Sequence, residues 1–150
     1  MEKNELKAFL QELRAIDGVG TRKLKYAVFK NTERAEREII SNDRFIKKAR
    51  PKELADLETQ RDLFLQKLDP KENKAAKLKL WEKFDDLFMA VNNYNEKEVD
   101  PFMQLESEFE VFQYDITKED IDEIEKAGKM NNATMHCLSV ICPNLKEMMS

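Results

Sequence analysis

The sequence predicts a mostly α protein: an elongated antiparallel helical hairpin or three-helix bundle closed by a small C-terminal cap. Three observations predict it. Only 3 glycines and 4 prolines interrupt 150 residues. Charged residues make up 37% of the chain and hydrophobic ones 41%; the charged share is well above the ~25% of an average domain and suits long helices with wet outer faces. Apolar residues recur at 3/4 spacing through long segments joined by short connections, which favour antiparallel neighbours. The expected organisation is one helical domain, 1–150: an N-terminal helix within 1–19, a long hairpin or bundle over 21–95 and a cap over 100–150.

Residues 3–16 place Leu6, Phe9, Leu10, Leu13 and Ile16 on one helical face. Asp17-Gly18-Val19-Gly20 ends that helix, because two glycines tolerate the positive φ of a helix terminus. Thr21 can cap the next helix, expected from Arg22 to Lys48 with Leu24, Val28, Ala35, Ile39 and Ile46 as its stripe and Asn31 and Asn42 on or near it. Pro51 bars Arg50 from helical conformation. A third helix follows over Lys52–Leu68, with Leu54, Leu57, Phe64 and Leu68 on a heptad-like track that Arg61 interrupts. After Asp69-Pro70, a fourth covers Lys71–Tyr94 on a spine of Leu78, Trp81, Phe84, Phe88 and Val91, and Asn92–Asn95 reads as a loop or fraying end. Narrow stripes favour coiled-coil pairing and a homo-oligomer.

The pattern changes after Pro101. Residues 109–116, FEVFQYDI, are rich in aromatic and β-branched types, with Phe112, Tyr114 and Ile116 on one face at period two. This is the one strand that the cap can contain, and a lone strand needs a partner. Thr117 with Asp120 forms a capping box opening a helix to about Ala127, and Gly128 stops it. A last helix starts at Asn131 or Asn132, carries Ala133, Met135, Leu138 and Ile141, and ends at Pro143.

Charge runs down the chain. Residues 1–50 hold 13 Lys/Arg against 8 Asp/Glu, residues 51–100 hold 9 against 12, and residues 101–150 hold 4 against 10. Such a gradient implies contact between the two ends, or a basic surface with a partner of its own. No run approaches the ~18 apolar residues of a membrane span, and no basic stretch after Met1 leads into an apolar one, so no membrane partner and a cytoplasmic location are expected. Cys137 and Cys142, five apart, diverge on a helix and read as buried or half-buried free thiols.

Catalysis needs a nucleophile, a base or a metal held by convergent side chains. His136, Cys137 and Cys142 match no common zinc spacing, and neighbours on a helix diverge too far for a Cys-His pair. The acidic residues Asp85, Asp86, Glu96, Glu98, Asp100, Glu106, Glu108, Glu110, Asp120, Asp122 and Glu123 read as a solvated face. A non-enzyme without cofactor or metal is expected.

The corner at Gly18, Gly20, Thr21, Arg22, Lys23 and Lys25 lacks the spacing and Lys-Ser/Thr ending of a Walker loop. Leu13-x-x-Ile16-Asp17-Gly18-Val19-Gly20-x-x-x-Leu24 resembles the helix-hairpin-helix motif of DNA-binding proteins, whose Gly-hydrophobic-Gly turn presents backbone amides to a phosphate. The chain has Asp17 where that motif often has Pro, Leu24 where a small residue is usual, and a longer second helix. A broader resemblance spans most of residues 20–140. The start Lys23-x-x-Tyr26-Ala27-x-x-Lys30-Asn31, a charged helical hairpin, the Glu-Val-Phe-Gln-Tyr-Asp-Ile segment, Thr-Lys-Glu-Asp-Ile and a closing helix are similar in layout to small phage-encoded proteins of unknown function. That resemblance implies a phage or prophage origin, the host cytoplasm as location, and action through binding. The helix at 1–19 and the Gly-Val-Gly corner depart from it.

Tyr26 and Lys30, four apart, share a helix face with Lys23 and could form, with Asn31, a ligand surface for an anionic nucleotide. Equally, Asn31 can be a buried register-setting residue. Three functions follow. The first is a non-enzymatic phage interaction or assembly protein that binds itself or a host or phage protein through helical faces and the strand residues Phe109, Val111, Phe112, Tyr114 and Ile116. The second is a nucleic-acid binder working through Gly18–Lys25. The third is an anti-defence protein that binds a host nucleotide signal or a host protein.

Overall fold

The computed structural model describes residues 1–67, 82, 85 and 88–150, and it is mostly α. A 3-10 turn at Lys3–Glu5 leads into α1 (Leu6–Ala15); α2 is Arg22–Ala49 and α3 is Lys52–Lys67. Residues 88–94 are helical and pass through a π turn at Asn95–Val99 into α4 (Asp100–Met103). The closing elements are α5 (Lys118–Lys126), α6 (Asn132–Ile141) and α7 (Leu145–Met149). Among the described residues, no helix is long and apolar enough to cross a membrane. The expected side-chain tracks through Leu57, Phe64 and Leu68 and through Leu78, Trp81 and Phe84 lie outside what is described.

The chain gathers into two compact units, Met1–Asn42 with Leu105–Ser150, and Asp43–Gln104. In the first, the two ends of the chain meet. Leu6, Phe9, Leu13 and Ile16 of the first helix and turn are at most 1% exposed, and α1 packs on α6. Leu24 and Val28 of α2 join the same core, with Ile116, Ile121 and Ile124 on one side and Leu138, Ile141 and Leu145 on another. Each such side chain contributes roughly 1.5–3 kcal/mol by leaving water. Cys137 and Cys142 are buried free thiols in this core. The α5 cap forms as its sequence implies: Thr117 Oγ1 accepts from the Asp120 amide while the Asp120 carboxylate accepts from the Thr117 amide. Asn131 caps α6, its Oδ1 accepting from Thr134 N at 2.8 Å.

In the second unit, the Phe45 and Phe102 rings stack 4.9 Å apart and Tyr94 Oη donates to Ala49 O. One expectation is corrected here. The run 92–95 is no fraying loop: 92–94 are helical and Asn95 opens the π turn, its carbonyl accepting from Asp100 N. Pro101 sits in the first turn of α4, where no proline N–H is needed. Beyond Pro143, α7 is a further helix that the sequence reading did not anticipate.

The largest departure concerns 109–116. The expected strand does not form: residues 107–117 carry no regular secondary structure and, among the described residues, join no sheet, although the paired N–H and C=O bonds of Phe112 and of Ile116, each to one carboxamide, are those of extended backbone. An isolated antiparallel bridge, Glu2 to Glu106, precedes it, with Lys3 N donating to Leu105 O and Ser107 N to Met1 O. Beyond it, side chains replace the missing strand. The Asn31 carboxamide donates to Phe112 O at 2.9 Å and accepts from Phe112 N at 2.8 Å. Asn144 does the same to Ile116, at 2.9 and 2.8 Å. Between them, Tyr114 N donates to Ile141 O, the free carbonyl at the end of α6. A carboxamide offers one acceptor and two donors at the spacing of a peptide group, so it can stand in for a neighbouring strand. Asn31, fully buried, uses its second N–H on Ala27 O and is left with no unmet donor.

Candidate functional site

A cleft of about 640 Å³ opens between the first turns of α2 and residues 112–117. Arg22, Lys23 and Tyr26 form one wall; Phe112, Gln113 and Tyr114 begin the other. Arg22, Tyr26, Lys30 and Arg34 recur every fourth residue, which sets them along one side of α2. Tyr26 is 52% exposed and meets the Phe112 ring edge-on, centroids 5.6 Å apart at 83°. Lys30 Nζ lies 5.7 Å from the Tyr26 centroid and the Arg34 guanidinium 5.6 Å from that of Phe112, so a cation braces each ring. Arg34 also donates to Glu110 O at 3.0 Å. Arg22 and Lys23 are exposed and make no ion pair among the described residues.

The cleft is anchored from below by Asp120. Its carboxylate is fully buried and accepts five hydrogen bonds: from Thr21 N (3.1 Å) and Oγ1 (2.5 Å), from Tyr114 Oη (2.6 Å), and from Thr117 N (3.0 Å) and Oγ1 (2.9 Å). Burial alone would raise its pKa, but these donors outweigh burial and hold it below the usual carboxylate value. Burial and the bond to Asp120 push Tyr114 up to about 12, so its hydroxyl stays a neutral donor facing inward while its ring faces the cleft. The glycine corner is thereby tied to a residue 99 positions away. Gly18 and Gly20 both take positive φ, +75° and +95°. At Gly20 a Cβ would come within 2.5 Å of Leu24 Cδ2, which ties the bulky Leu24 to a glycine at 20.

Arg22, Lys23 and Tyr26 from the basic helix face, and Phe112 and Tyr114 from the aromatic segment, converge on this one cleft. Thr21 lies beneath it, held by Asp120, and Lys30 and Arg34 lie beside the rings. Lys25 is exposed and does not line the cleft. Asn31 is turned inward onto Phe112 and is closed to any ligand. Phe109 packs on Phe9, centroids 5.6 Å apart, while Val111 and Ile116 join the core. Asp120 corrects the reading of the acidic residues as a solvated face: with Ile121 and Ile124 it forms the buried side of α5. Only its place in a capping box set it apart in the sequence.

Reactive side chains lie elsewhere. Burial pushes Cys137 and Cys142 up to about 12, which keeps both as thiols at neutral pH. His136 points outward to Glu12, Nδ1 to Oε2 2.7 Å. Among the described residues no group of three or more His, Cys, Asp or Glu side chains could hold a metal ion. Comparison of the chain with known protein families, with curated proteins and with solved structures finds no match.

Proposed function

We propose that this chain is a non-enzymatic binding protein that recognises an anionic segment of a partner protein in the cleft at the start of α2. The observation that carries this reading is the pairing of two cations that make no ion pair among the described residues, Arg22 and Lys23, with a braced aromatic pair, exposed Tyr26 and half-buried Phe112. Exposed aromatic rings beside arginine are typical of binding hot spots, and cations without local partners favour a negatively charged visitor. The resemblance of the sequence layout to small phage-encoded proteins supports the same reading, with a host or phage protein as the partner. A DNA phosphate fits less well. The Thr21 amide, which a helix-hairpin-helix corner would aim at phosphate, already donates to Asp120. A nucleotide would need to stack on Tyr26, whose ring already meets Lys30 and Phe112.

The test is an NMR titration of the full chain with a glutamate-rich peptide, a mononucleotide and a short DNA duplex. The reading predicts peptide-induced shifts around Arg22–Tyr26 and 112–117 that fade with added salt and vanish in an Arg22→Ala/Lys23→Ala variant. A duplex or nucleotide that outcompetes the peptide at these residues would overturn it.

A further inference from the structure

The hydrogen bonds of the extended segment alternate strictly. Glu108 N donates to Glu38, Glu110 O accepts from Arg34, Phe112 is clamped by Asn31, Tyr114 N donates to Ile141 O, and Ile116 is clamped by Asn144. Every even residue from 108 to 116 is engaged on the protein's side. Phe109, Val111, Gln113 and Asp115 make no backbone hydrogen bond among the described residues. In an extended chain the peptide groups of alternate residues point to opposite edges. One edge of this segment is therefore engaged at seven of its ten backbone groups, all but Glu108 O, Glu110 N and Tyr114 O, and the opposite edge, among the described residues, carries a row of donors and acceptors without partners. Gln113 and Asp115, on that open edge, are exposed and line the same cleft as Arg22 and Lys23.

We infer that the cleft takes its partner by strand addition: an extended segment of another protein, carrying one Asp or Glu and otherwise uncharged, pairs with the open edge at 109–115 and sets that acid against Arg22 and Lys23. The inference rests on the binding reading above and specifies its mode. Main-chain pairing would supply affinity, as in other edge-strand recognition, and the two cations with the Tyr26–Phe112 pair would supply selectivity. A second copy of this chain is the poorer occupant. Residues 104–117 contain Glu106, Glu108, Glu110 and Asp115 and no Lys or Arg, so two such segments side by side would oppose like charges. Asp115 also repels an acid at its own end of the edge, so the acidic preference falls beside α2.

Two capped eight-residue peptides of Val and Thr with a single central Glu test this, one with ordinary amides and one N-methylated at every residue so that no residue has a backbone N–H to give. Each is titrated into the isotope-labelled full chain, with hydrogen exchange read at single amides. The inference expects Val111, Gln113 and Asp115 to exchange freely in the apo protein. The ordinary peptide should slow them at least tenfold, N-methylation should weaken binding by roughly tenfold or more, and Arg22→Ala/Lys23→Ala should weaken both the shifts and the protection. If both peptides bind equally and shift only Arg22–Tyr26, the anion-binding reading stands and strand addition fails. If neither peptide moves any residue of the cleft, the binding reading fails with it. Protection of the same three amides that grows with protein concentration, without peptide, would make a second copy the occupant and overturn the choice of partner.

Discussion

Asp120→Asn probes whether one buried carboxylate holds the cleft together. The substitution keeps the shape and removes the charge and one acceptor. Whichever way the carboxamide turns, its NH2 faces donors: Thr21 N and Oγ1 on one side, or Tyr114 Oη with Thr117 N and Oγ1 on the other. Hydroxyls can rotate away, but a backbone N–H cannot, so at least one amide loses its acceptor. A buried donor left without a partner costs about 1–3 kcal/mol. The bonds that survive lose their charge assistance, which roughly halves each. The sum is about 3–4 kcal/mol, a large share of the ~5–15 kcal/mol that stabilises an ordinary domain. Urea unfolding followed by far-ultraviolet circular dichroism should show the midpoint falling with an unchanged slope.

The pH dependence gives a second arm. The folded-state pKa of Asp120 lies below its unfolded value, so its contribution is complete above about pH 4 and is lost as pH falls through the folded value. Asp120→Asn should flatten the acid limb of the stability curve over that window and leave stability near neutral pH lower throughout. A variant within about 0.5 kcal/mol of the parent, or an acid limb of unchanged steepness, would refute the assignment of Asp120 as the anchor.

Three further outcomes are expected. Asn31→Asp and Asn144→Asp each replace a donor facing a carbonyl, Phe112 O or Ile116 O, with an acceptor; each should lose about 2–4 kcal/mol and release the amide of residue 112 or 116 in hydrogen exchange, with the residue-31 effect larger because Ala27 O also loses its donor. Gly20→Ala should cost more than Gly18→Ala, about 2–3 against 1 kcal/mol in chemical denaturation, since both have positive φ but only Gly20 has Leu24 where the Cβ would go. Cys137 and Cys142 should resist a thiol reagent in the native state at neutral pH and react at once in denaturant, given burial and pKa values near 12.

How far the sequence reading reached depended on the range of the interactions. The end of α1, both bounds of α2 and the start of α3 were legible to within a residue, because periodicity, two glycines and Pro51 are local marks, whereas α1 begins three residues later than expected, after the 3-10 turn at Lys3–Glu5. The extended habit of 109–116 was legible from its aromatic and β-branched residues, but its partners were not: they are carboxamides 81 and 28 residues away, and no pattern of period two announces a side chain acting as a strand. The cleft was legible as two halves. Arg22, Lys23 and Tyr26 were singled out by a basic helix face, and Phe112 and Tyr114 by an aromatic run, without any sign that the halves meet. Asp120 was hidden among ten similar carboxylates, since burial depends on what packs over α5 and not on α5 itself. Asn31, a polar residue on an apolar stripe, was the informative exception. Its burial was one of two readings, the other being a ligand contact; that it clamps the backbone of its own chain was in neither.

A strand without a sheet is normally unstable, because its backbone groups exchange water for nothing. Here the ordering is borne by the core. Ile116 is buried, Asn31 and Asn144 clamp Phe112 and Ile116, and Asp120 fixes Tyr114 between them. An incoming segment therefore meets an edge already extended and need not order it, which is where much of the cost of association otherwise lies. The same edge is guarded against its own kind. Exposed strand edges invite aggregation unless charge blunts them, and Glu108, Glu110 and Asp115 place one sign of charge along the segment while Arg22 and Lys23 stand across the cleft with the other. A segment that is pre-ordered, open on one side and acidic along its length disfavours pairing with any strand of the same charge, and the proposed partner is one that brings a single acid to Arg22 and Lys23.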